Sequence, residues 1–229
     1  MASWMVHLRV ADKLLRRIRF LDPVSFIVGN IAPDSGVPNE DWSVFTPSTK
    51  ISHFKTGNHS KAGPESFAAK YFQKSMQESY DQNQYSFSLG YLTHLLPDVE
   101  WSKGIVHPAL ERFAEEKAKD PDNFIWKMKE DWYDLDYLYL RDHPNFQAFQ
   151  IYANAVGFEN RYMEEFSADA FDNRREYITG FYLQGKENLD RTYPYLTKDE
   201  MDTFVDTCVN KILGTLQAQY GLSCCWQNC

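Results

Sequence analysis

Apolar residues recur at helical spacing along most of the chain. The first such run covers residues 4–20, where apolar positions fall three or four residues apart. Further runs of this kind predict helices at residues 64–77, 83–103, 108–119, 121–140, 144–157, 174–190 and 197–220, several of them opening at a proline. Strand-like alternation of apolar and polar positions is almost absent. The pattern therefore predicts an all-α fold, a multi-helix bundle.

Two stretches near the N-terminus interrupt this pattern. A short apolar segment over residues 22–28 is predicted to end at Gly29, where the sequence Gly-Asn-Ile-Ala-Pro-Asp begins and predicts a loop that carries Asp34. Residues 39–63 then show little periodicity and many turn-forming residues. We expect a long surface excursion there, which carries His53 and His59.

Length and composition favour one domain that spans residues 1–229. The 229 residues are 43% hydrophobic, which is enough for one sizeable core, and no linker-like stretch divides them. Cysteines crowd into the C-terminus at Cys224, Cys225 and Cys229. This clustering predicts a flexible tail over about the last eight residues rather than a disulfide framework.

Charge narrows the classes of partner. The net charge of -8 argues against a general attraction to nucleic acid or to anionic membranes. No apolar run reaches the ~20 residues that a membrane-spanning helix needs, and the first residues lack the charged-then-apolar layout of a signal peptide. We therefore expect a soluble, cytoplasmic protein without stable nucleic-acid binding.

The most specific candidate for a chemical site lies in residues 90–98, with the sequence Gly-Tyr-Leu-Thr-His-Leu-Leu-Pro-Asp. His94 and Asp98 are four residues apart and so lie on one face of a helix. An imidazole and a carboxylate that converge can bind one metal ion. The alternative is a buried histidine that hydrogen-bonds its own helix.

Three further residues offer the same kinds of ligand atom: His7 in the first helix, Asp34 after Ala32-Pro33, and His53 in the excursion. Imidazole nitrogens and carboxylate oxygens suit zinc. No phosphate-binding glycine loop, GxSxG or HExxH is present, so a metal cluster between helices is the best chemical candidate. His59 and His143 are predicted to be surface residues because polar or turn-forming neighbours flank them.

In this order and spacing, the five residues resemble the zinc-dependent phospholipase C family over roughly the first half of the chain. That family is all-helical and shares its trinuclear zinc arrangement with the fungal single-strand nucleases. The resemblance implies that Asp34, His53 and His94 bind one zinc ion. It also implies that Asp98 bridges to a neighbouring zinc, which His7 binds. Asp34 is then the carboxylate that orients or deprotonates the attacking water.

The resemblance implies two or three zinc ions. The family's third zinc is held by a histidine shortly after the central helix, which His107 matches, and by a later His-x-x-x-Glu pair, which is missing here. The nearest substitute at helical spacing is Glu130 with Asp134. As alternatives, His107 is a plain first-turn residue, and Asp134 and Asp136 bind tyrosine hydroxyls or lysine. The secreted members also use the α-amine of a processed N-terminal tryptophan, whereas Trp4 follows three other residues.

The function implied is a zinc-dependent phosphodiester hydrolase that acts on a phospholipid or another small phosphate ester. Two alternatives are open: a nuclease or phosphomonoesterase on the same cluster, and a helical binding module whose metal is structural. A coordination position open to water distinguishes a catalytic zinc site from a structural one. The aromatic residues between positions 126 and 139 are expected to line either the cleft or the core.

Overall fold

Helices dominate the chain. The computed structural model describes residues 1–56 and 61–222, and it is 66% helical. The helices are α1 (Trp4–Leu15), α2 (Pro23–Ile31), α3 (Thr49–Ser52), α4 (Pro64–Tyr71), α5 (Lys74–Ser79), α6 (Gln82–Trp101), α7 (His107–Arg112), α8 (Ala114–Lys119), α9 (Phe124–Asp142), α10 (Gln147–Asn154), α11 (Ala170–Leu183) and α12 (Lys198–Tyr220). A 3-10 turn (Ala32–Asp34) follows α2, and a π-helical segment (Ser102–Val106) follows α6. The predicted all-α fold is confirmed.

Helix α1 is shorter than predicted. Its N-terminus is capped by Ser3, whose hydroxyl accepts from the Val6 backbone N–H. The helix ends at Leu15 instead of residue 20. The chain must then reverse to enter α2, and Phe20 takes a left-handed backbone conformation in that turn, with φ 65°.

The sequence pattern predicts that the second helical segment ends at Gly29. In the structure, Gly29 lies inside α2. This glycine allows α2 and α6 to approach closely. A Cβ atom on Gly29 would lie 2.2 Å from the Phe87 carbonyl oxygen, and one on Gly90 would lie 2.2 Å from the Phe26 carbonyl oxygen. Small residues on both helices therefore set the distance between the two elements that carry Asn30 and the central histidine.

Other predicted helices also differ in extent, and the run over residues 144–157 shortens to Gln147–Asn154. The run over residues 64–77 divides into α4 and α5 around buried Phe72, and the run over residues 108–119 divides into α7 and α8 at Phe113. The run predicted to continue to residue 190 ends at Leu183. Gly185 follows it with φ 68°, a left-handed conformation that stops a helix.

The segment over residues 39–63 is only partly a surface excursion. A two-stranded antiparallel hairpin pairs β1 (Val37–Pro38) with β2 (Phe45–Thr46), and the short α3 comes next. Helix α3 turns the chain inward, so that His53 is fully buried rather than on the surface. His59 lies outside the described residues.

The buried apolar side chains form one cluster. The aromatic side chains of α9 divide between its faces: Trp132 packs edge-on against Trp101 with ring centroids 5.3 Å apart, whereas Trp126 is 60% exposed. No helix in residues 1–56 and 61–222 is long and apolar enough to cross a membrane. The predictions of a single domain and a cytoplasmic location stay predictions. The tail cysteines fall outside the described part of the chain.

Candidate metal centre

Four separate elements bring five polar side chains together in the interior. His7 comes from α1, Asp34 from the 3-10 turn, His53 from the end of α3, and His94 with Asp98 from α6. The three imidazoles are fully buried, whereas the Asp98 side chain is 3% exposed and the Asp34 side chain is 10% exposed. Asp34 is therefore the member of the cluster that is most exposed to solvent.

Three ligand atoms of this cluster lie close to a fourth, His53 Nε2. His53 Nε2 lies 3.3 Å from His94 Nε2 and 3.4 Å from both Asp34 Oδ1 and Asp98 Oδ2. His94 Nε2 lies 3.7 Å from Asp98 Oδ2 and 3.9 Å from Asp34 Oδ1. Ligands at zinc's bond lengths and tetrahedral angles are about 3.3–3.6 Å apart, so four of these five distances fit or nearly fit one zinc ion.

The other oxygen of Asp98 faces a second group. Asp98 Oδ1 lies 3.4 Å from His7 Nε2, and the His7 ring stacks on the His94 ring with centroids 3.7 Å apart. Among the described residues, His7, His94 and Asp98 form one group able to hold a metal ion, and Asp34, His53 and His94 form another. The two carboxylate oxygens of Asp98 thus point to neighbouring positions, as a bridging ligand requires.

Unsatisfied buried atoms indicate that a cation fits here. Both ring nitrogens of His7 and the Oδ2 atom of Asp98 are buried without a hydrogen-bond partner in the part of the chain that the structure describes. Leaving such atoms unpaired is costly, and a bound cation would satisfy acceptors of both kinds.

Hydrogen bonds on the far side of two imidazoles orient their Nε2 atoms inward. His94 Nδ1 lies 2.7 Å from the Asn30 carbonyl oxygen, which can only accept, so Nδ1 carries the proton and Nε2 carries a lone pair. His53 Nδ1 lies 3.0 Å from Ser52 Oγ, and a hydroxyl can accept this proton in the same way. The Tyr91 hydroxyl donates to the Ser52 carbonyl oxygen and holds that turn in place.

The protonation states also suit metal binding near neutral pH. Burial, and then the proximity of His7, lower the pKa of His94 to about 3, which keeps its imidazole neutral. Burial alone would raise the pKa of Asp34 and of Asp98. For Asp34, the electrostatic effect of His94 and the hydrogen bond with His53 outweigh burial, and for Asp98 the contact with His7 and the proximity of His94 do so. Both carboxyl pKa values therefore lie below their usual range, and both groups are ionised.

The first residues of the chain cross over the cluster. The Ala2 backbone N–H donates to Asp98 Oδ1 at 2.8 Å, and the Ser3 hydroxyl donates to Asp136 Oδ1 at 2.8 Å. The Tyr182 hydroxyl donates to the other oxygen of Asp136 at 2.9 Å. Burial raises the pKa of Asp136 to about 7, although these two hydrogen bonds oppose the shift.

The structure does not bring the two further predicted zinc ligands into either group. Both oxygens of Asp134 are engaged elsewhere, one by Lys186 and the other by Arg191 at 2.8 Å. His107 is exposed at the start of α7. Asp134 contacts lysine, and His107 lies in the first turn of a helix, as the alternatives derived from the sequence describe. His143 is exposed, as predicted, and its Nδ1 lies 2.8 Å from the Tyr139 carbonyl oxygen.

Sequence reasoning missed the residues that support the cluster. Asn30 contributes a backbone carbonyl, and Ala2 contributes a backbone N–H, so no side-chain pattern identifies either. Ser52 precedes His53 directly, and this adjacency was the available signal.

Comparison with known proteins agrees with the cluster. The family model described as zinc dependent phospholipase C matches residues 6–138, a span that contains all five clustered residues. No curated protein and no solved structure gives a significant match. Because the family model covers more than half of the 229 residues, the chain belongs to the zinc-dependent phospholipase C family.

Proposed function

We propose that this protein is a zinc-dependent phosphodiester hydrolase whose substrate is a phospholipid or another small phosphate ester. The observation that carries the proposal is the set of distances around His53 Nε2. His94 Nε2, Asp34 Oδ1 and Asp98 Oδ2 each lie 3.3–3.4 Å from this atom, which is the separation expected between two ligands of one tetrahedral zinc. The family match supports the same chemistry.

Each side chain has a definite part in this proposal. Asp34, His53 and His94 would hold one ion and His7 would hold a second, and Asp98 would offer one oxygen to each. Zinc bound there supplies a Lewis acid, which offsets the charge of the phosphate oxygens and lowers the pKa of a nearby water. Asp34 is ionised and is the ligand nearest to solvent. Its carboxylate therefore accepts a hydrogen bond from the attacking water and orients it.

The sequence predicts two or three zinc ions, and the same contacts support two. The groups able to hold a metal in residues 1–56 and 61–222 share His94 and lie side by side. Asp134 forms salt bridges with Lys186 and Arg191 and belongs to neither group, which supports two ions rather than three.

Metal analysis and a substrate panel test this proposal together. The full chain, expressed with added zinc, should retain about two zinc ions per molecule. It should hydrolyse short-chain phosphatidylcholine and a chromogenic phosphodiester faster than 4-nitrophenyl phosphate or single-stranded DNA. A protein without zinc contradicts the proposal. Zinc with no hydrolysis would favour the structural-metal module, and a preference for the monoester or the DNA would favour the alternative hydrolases.

A further inference from the structure

Arg174 is a buried cation that has no carboxylate partner among the described residues. Among the described residues, three arginines are buried: Arg9, Arg174 and Arg175. Arg9 pairs with Asp202, and Arg175 pairs with Asp172. Arg174 is 6% exposed, and none of the described carboxylates lies within ion-pair distance of its guanidinium group.

The guanidinium group of Arg174 is nevertheless held in place. Its Nη2 donates to the carbonyl oxygen of Gly36, and its Cζ lies 5.5 Å from the centre of the Tyr177 ring. A guanidinium has five N–H donors, so a single carbonyl leaves most of its donor capacity unused. Burying a charge without a counter-ion is costly, and a bound anion would offset this cost.

Arg174 lies on the Asp34 side of the cluster. Gly36, which accepts its hydrogen bond, is only two residues from Asp34. Burial lowers the pKa of Arg174, and the nearby charge of Asp34 is the largest effect that opposes this shift. An arginine remains charged despite such burial. The positive charge therefore stands beside the most accessible part of the metal centre.

A second buried donor lies on α10, which is tied to the helix of Arg174 by a hydrogen bond from Arg175 Nη1 to the Ala153 carbonyl oxygen at 3.2 Å. The hydroxyl of Tyr152, on α10, is buried without a hydrogen-bond partner among the described residues. Burial raises the pKa of Tyr152, and the charges of Arg174 and Asp34 both act on it. A neutral phenol is a hydrogen-bond donor, and the described part of the chain offers this one no acceptor.

We propose that Arg174 and Tyr152 form a phosphate-binding site beside the metal centre, where they bind the non-bridging oxygens of the substrate's phosphate group. The inference rests on the proposed function, because it assigns these donors to the same substrate. Arginine suits the task because its planar fork matches two phosphate oxygens at once. The phosphate serves as the counter-ion of Arg174 and accepts a hydrogen bond from the Tyr152 hydroxyl.

Binding of inorganic phosphate to the full chain, as purified with zinc, tests the site. Calorimetric titration would compare wild type with Arg174→Gln, Arg174→Lys and Tyr152→Phe, with zinc content measured for each. Arg174→Gln should retain its zinc and raise the phosphate Kd about tenfold or more, since a charge-assisted hydrogen bond is lost. Arg174→Lys, which keeps the charge but loses the fork, should fall between wild type and Arg174→Gln.

Tyr152→Phe distinguishes binding from packing. Removing a hydroxyl without a partner should leave the melting temperature unchanged or raise it, whereas phosphate binding should weaken by about threefold or more. Arg175→Gln is the matched control, because Arg175 is the neighbouring buried arginine but pairs with Asp172. Its phosphate Kd should stay within about twofold of the wild-type value.

Either of two results overturns the inference: a wild-type protein that does not bind phosphate, or equal phosphate Kd values in wild type and Tyr152→Phe at equal zinc content. The second criterion applies even if Arg174→Gln fails to fold. A wild type without zinc would contradict the proposed function alone. A phosphate Kd that still depended on Arg174 in that protein would support the anion site.

Discussion

His53 Nε2 and His94 Nε2 face each other at 3.3 Å in the interior of the protein. His94 presents a lone pair there, because its Nδ1 proton is bound by the Asn30 carbonyl oxygen. Without a metal, His53 can donate its own Nε2 proton across this gap. With a metal, that proton must instead be on Nδ1. Ser52 Oγ, 3.0 Å away, then accepts a hydrogen bond from this N–H group. The hydroxyl of Ser52 can serve in both states because it can both donate and accept.

Ser52→Ala should therefore weaken zinc binding while the fold is kept. Loss of the group that fixes a metal-binding histidine typically lowers metal affinity about 10–100-fold. Competition with a chromogenic zinc chelator would measure this change. Ser88→Ala, a change of equal size at another buried position, should keep the wild-type zinc Kd. An unchanged Kd in Ser52→Ala would mean that Ser52 does not orient His53.

Asp98→Asn should lose at least one zinc ion and nearly all hydrolysis. An amide offers one neutral acceptor in place of two anionic oxygens, and Asp98 directs one oxygen to His53 and the other to His7. Turnover of a chromogenic phosphodiester should fall roughly a hundredfold or more. His143→Asn, at an exposed position, should keep both zinc and turnover. If Asp98→Asn kept full metal and activity, the central pair of residues would be structural.

Asp34→Asn should lose activity more completely than it loses metal. Asp34 contributes one oxygen near His53, and its partial exposure leaves the carboxylate able to orient a water as well. The expected result is a zinc content between those of wild type and Asp98→Asn, with turnover reduced roughly a hundredfold. Metal content per protein and turnover, measured on one preparation, separate the two roles. A loss of activity merely in proportion to lost zinc would argue against the water-orienting role.

The sequence was sufficient to identify the five clustered residues, because residue type, order and spacing are local properties of the chain. It did not reveal that His53 is buried. Residues 39–63 lack periodicity, and only the tertiary contact of Ser52 with Tyr91 shows that the chain turns inward there. A carboxylate at helical spacing matches a ligand pattern, and this local pattern predicts Asp134 as a zinc ligand. Its partners Lys186 and Arg191 are more than fifty positions away, and no local signal reports them.

Glycine caused a further difference between prediction and structure. A glycine inside an apolar run is ordinarily interpreted as a break. Gly29 instead lies where α2 crosses α6, and it faces a partner whose position only the fold provides. The same crossing brings the Asn30 carbonyl oxygen to His94, so helix packing and metal-site geometry depend on each other.

Gly90→Ala should destabilise the protein and disturb the metal centre. Its Cβ would lie 2.2 Å from the Phe26 carbonyl oxygen, and backbone atoms cannot move aside cheaply. Overpacking of this kind costs roughly 1–3 kcal/mol or more. Gly214→Ala is the control, because a Cβ there meets nothing within 4 Å and alanine favours helix. Urea unfolding would measure both variants. A Gly90→Ala protein as stable as wild type would contradict the close crossing.

Asp136→Asn should change how stability depends on pH. Burial raises the pKa of Asp136 from 3.8 to about 7 in the folded protein. Between those two values the folded protein holds a proton that the unfolded chain releases, so this group makes the wild type less stable as pH rises through that window. The amide of the Asp136→Asn variant cannot ionise, so the variant does not lose stability in this way as pH rises. The free energy of unfolding of the variant, relative to wild type, should therefore increase by a few kcal/mol between pH 4 and pH 8.

The control for this effect is Asp190→Asn. The Asp190 side chain is 82% exposed, and its hydrogen bond with Arg141 lowers its pKa, so the group is ionised in both states above pH 5. The stability of this variant relative to wild type should thus stay constant from pH 5 to pH 8. If Asp136→Asn gave the same flat difference, Asp136 would be ionised in the folded protein. The hydrogen bonds from Ser3 and Tyr182 would then outweigh the effect of burial on the pKa of Asp136. Ser3, in the segment that crosses the metal centre, would donate to a buried carboxylate.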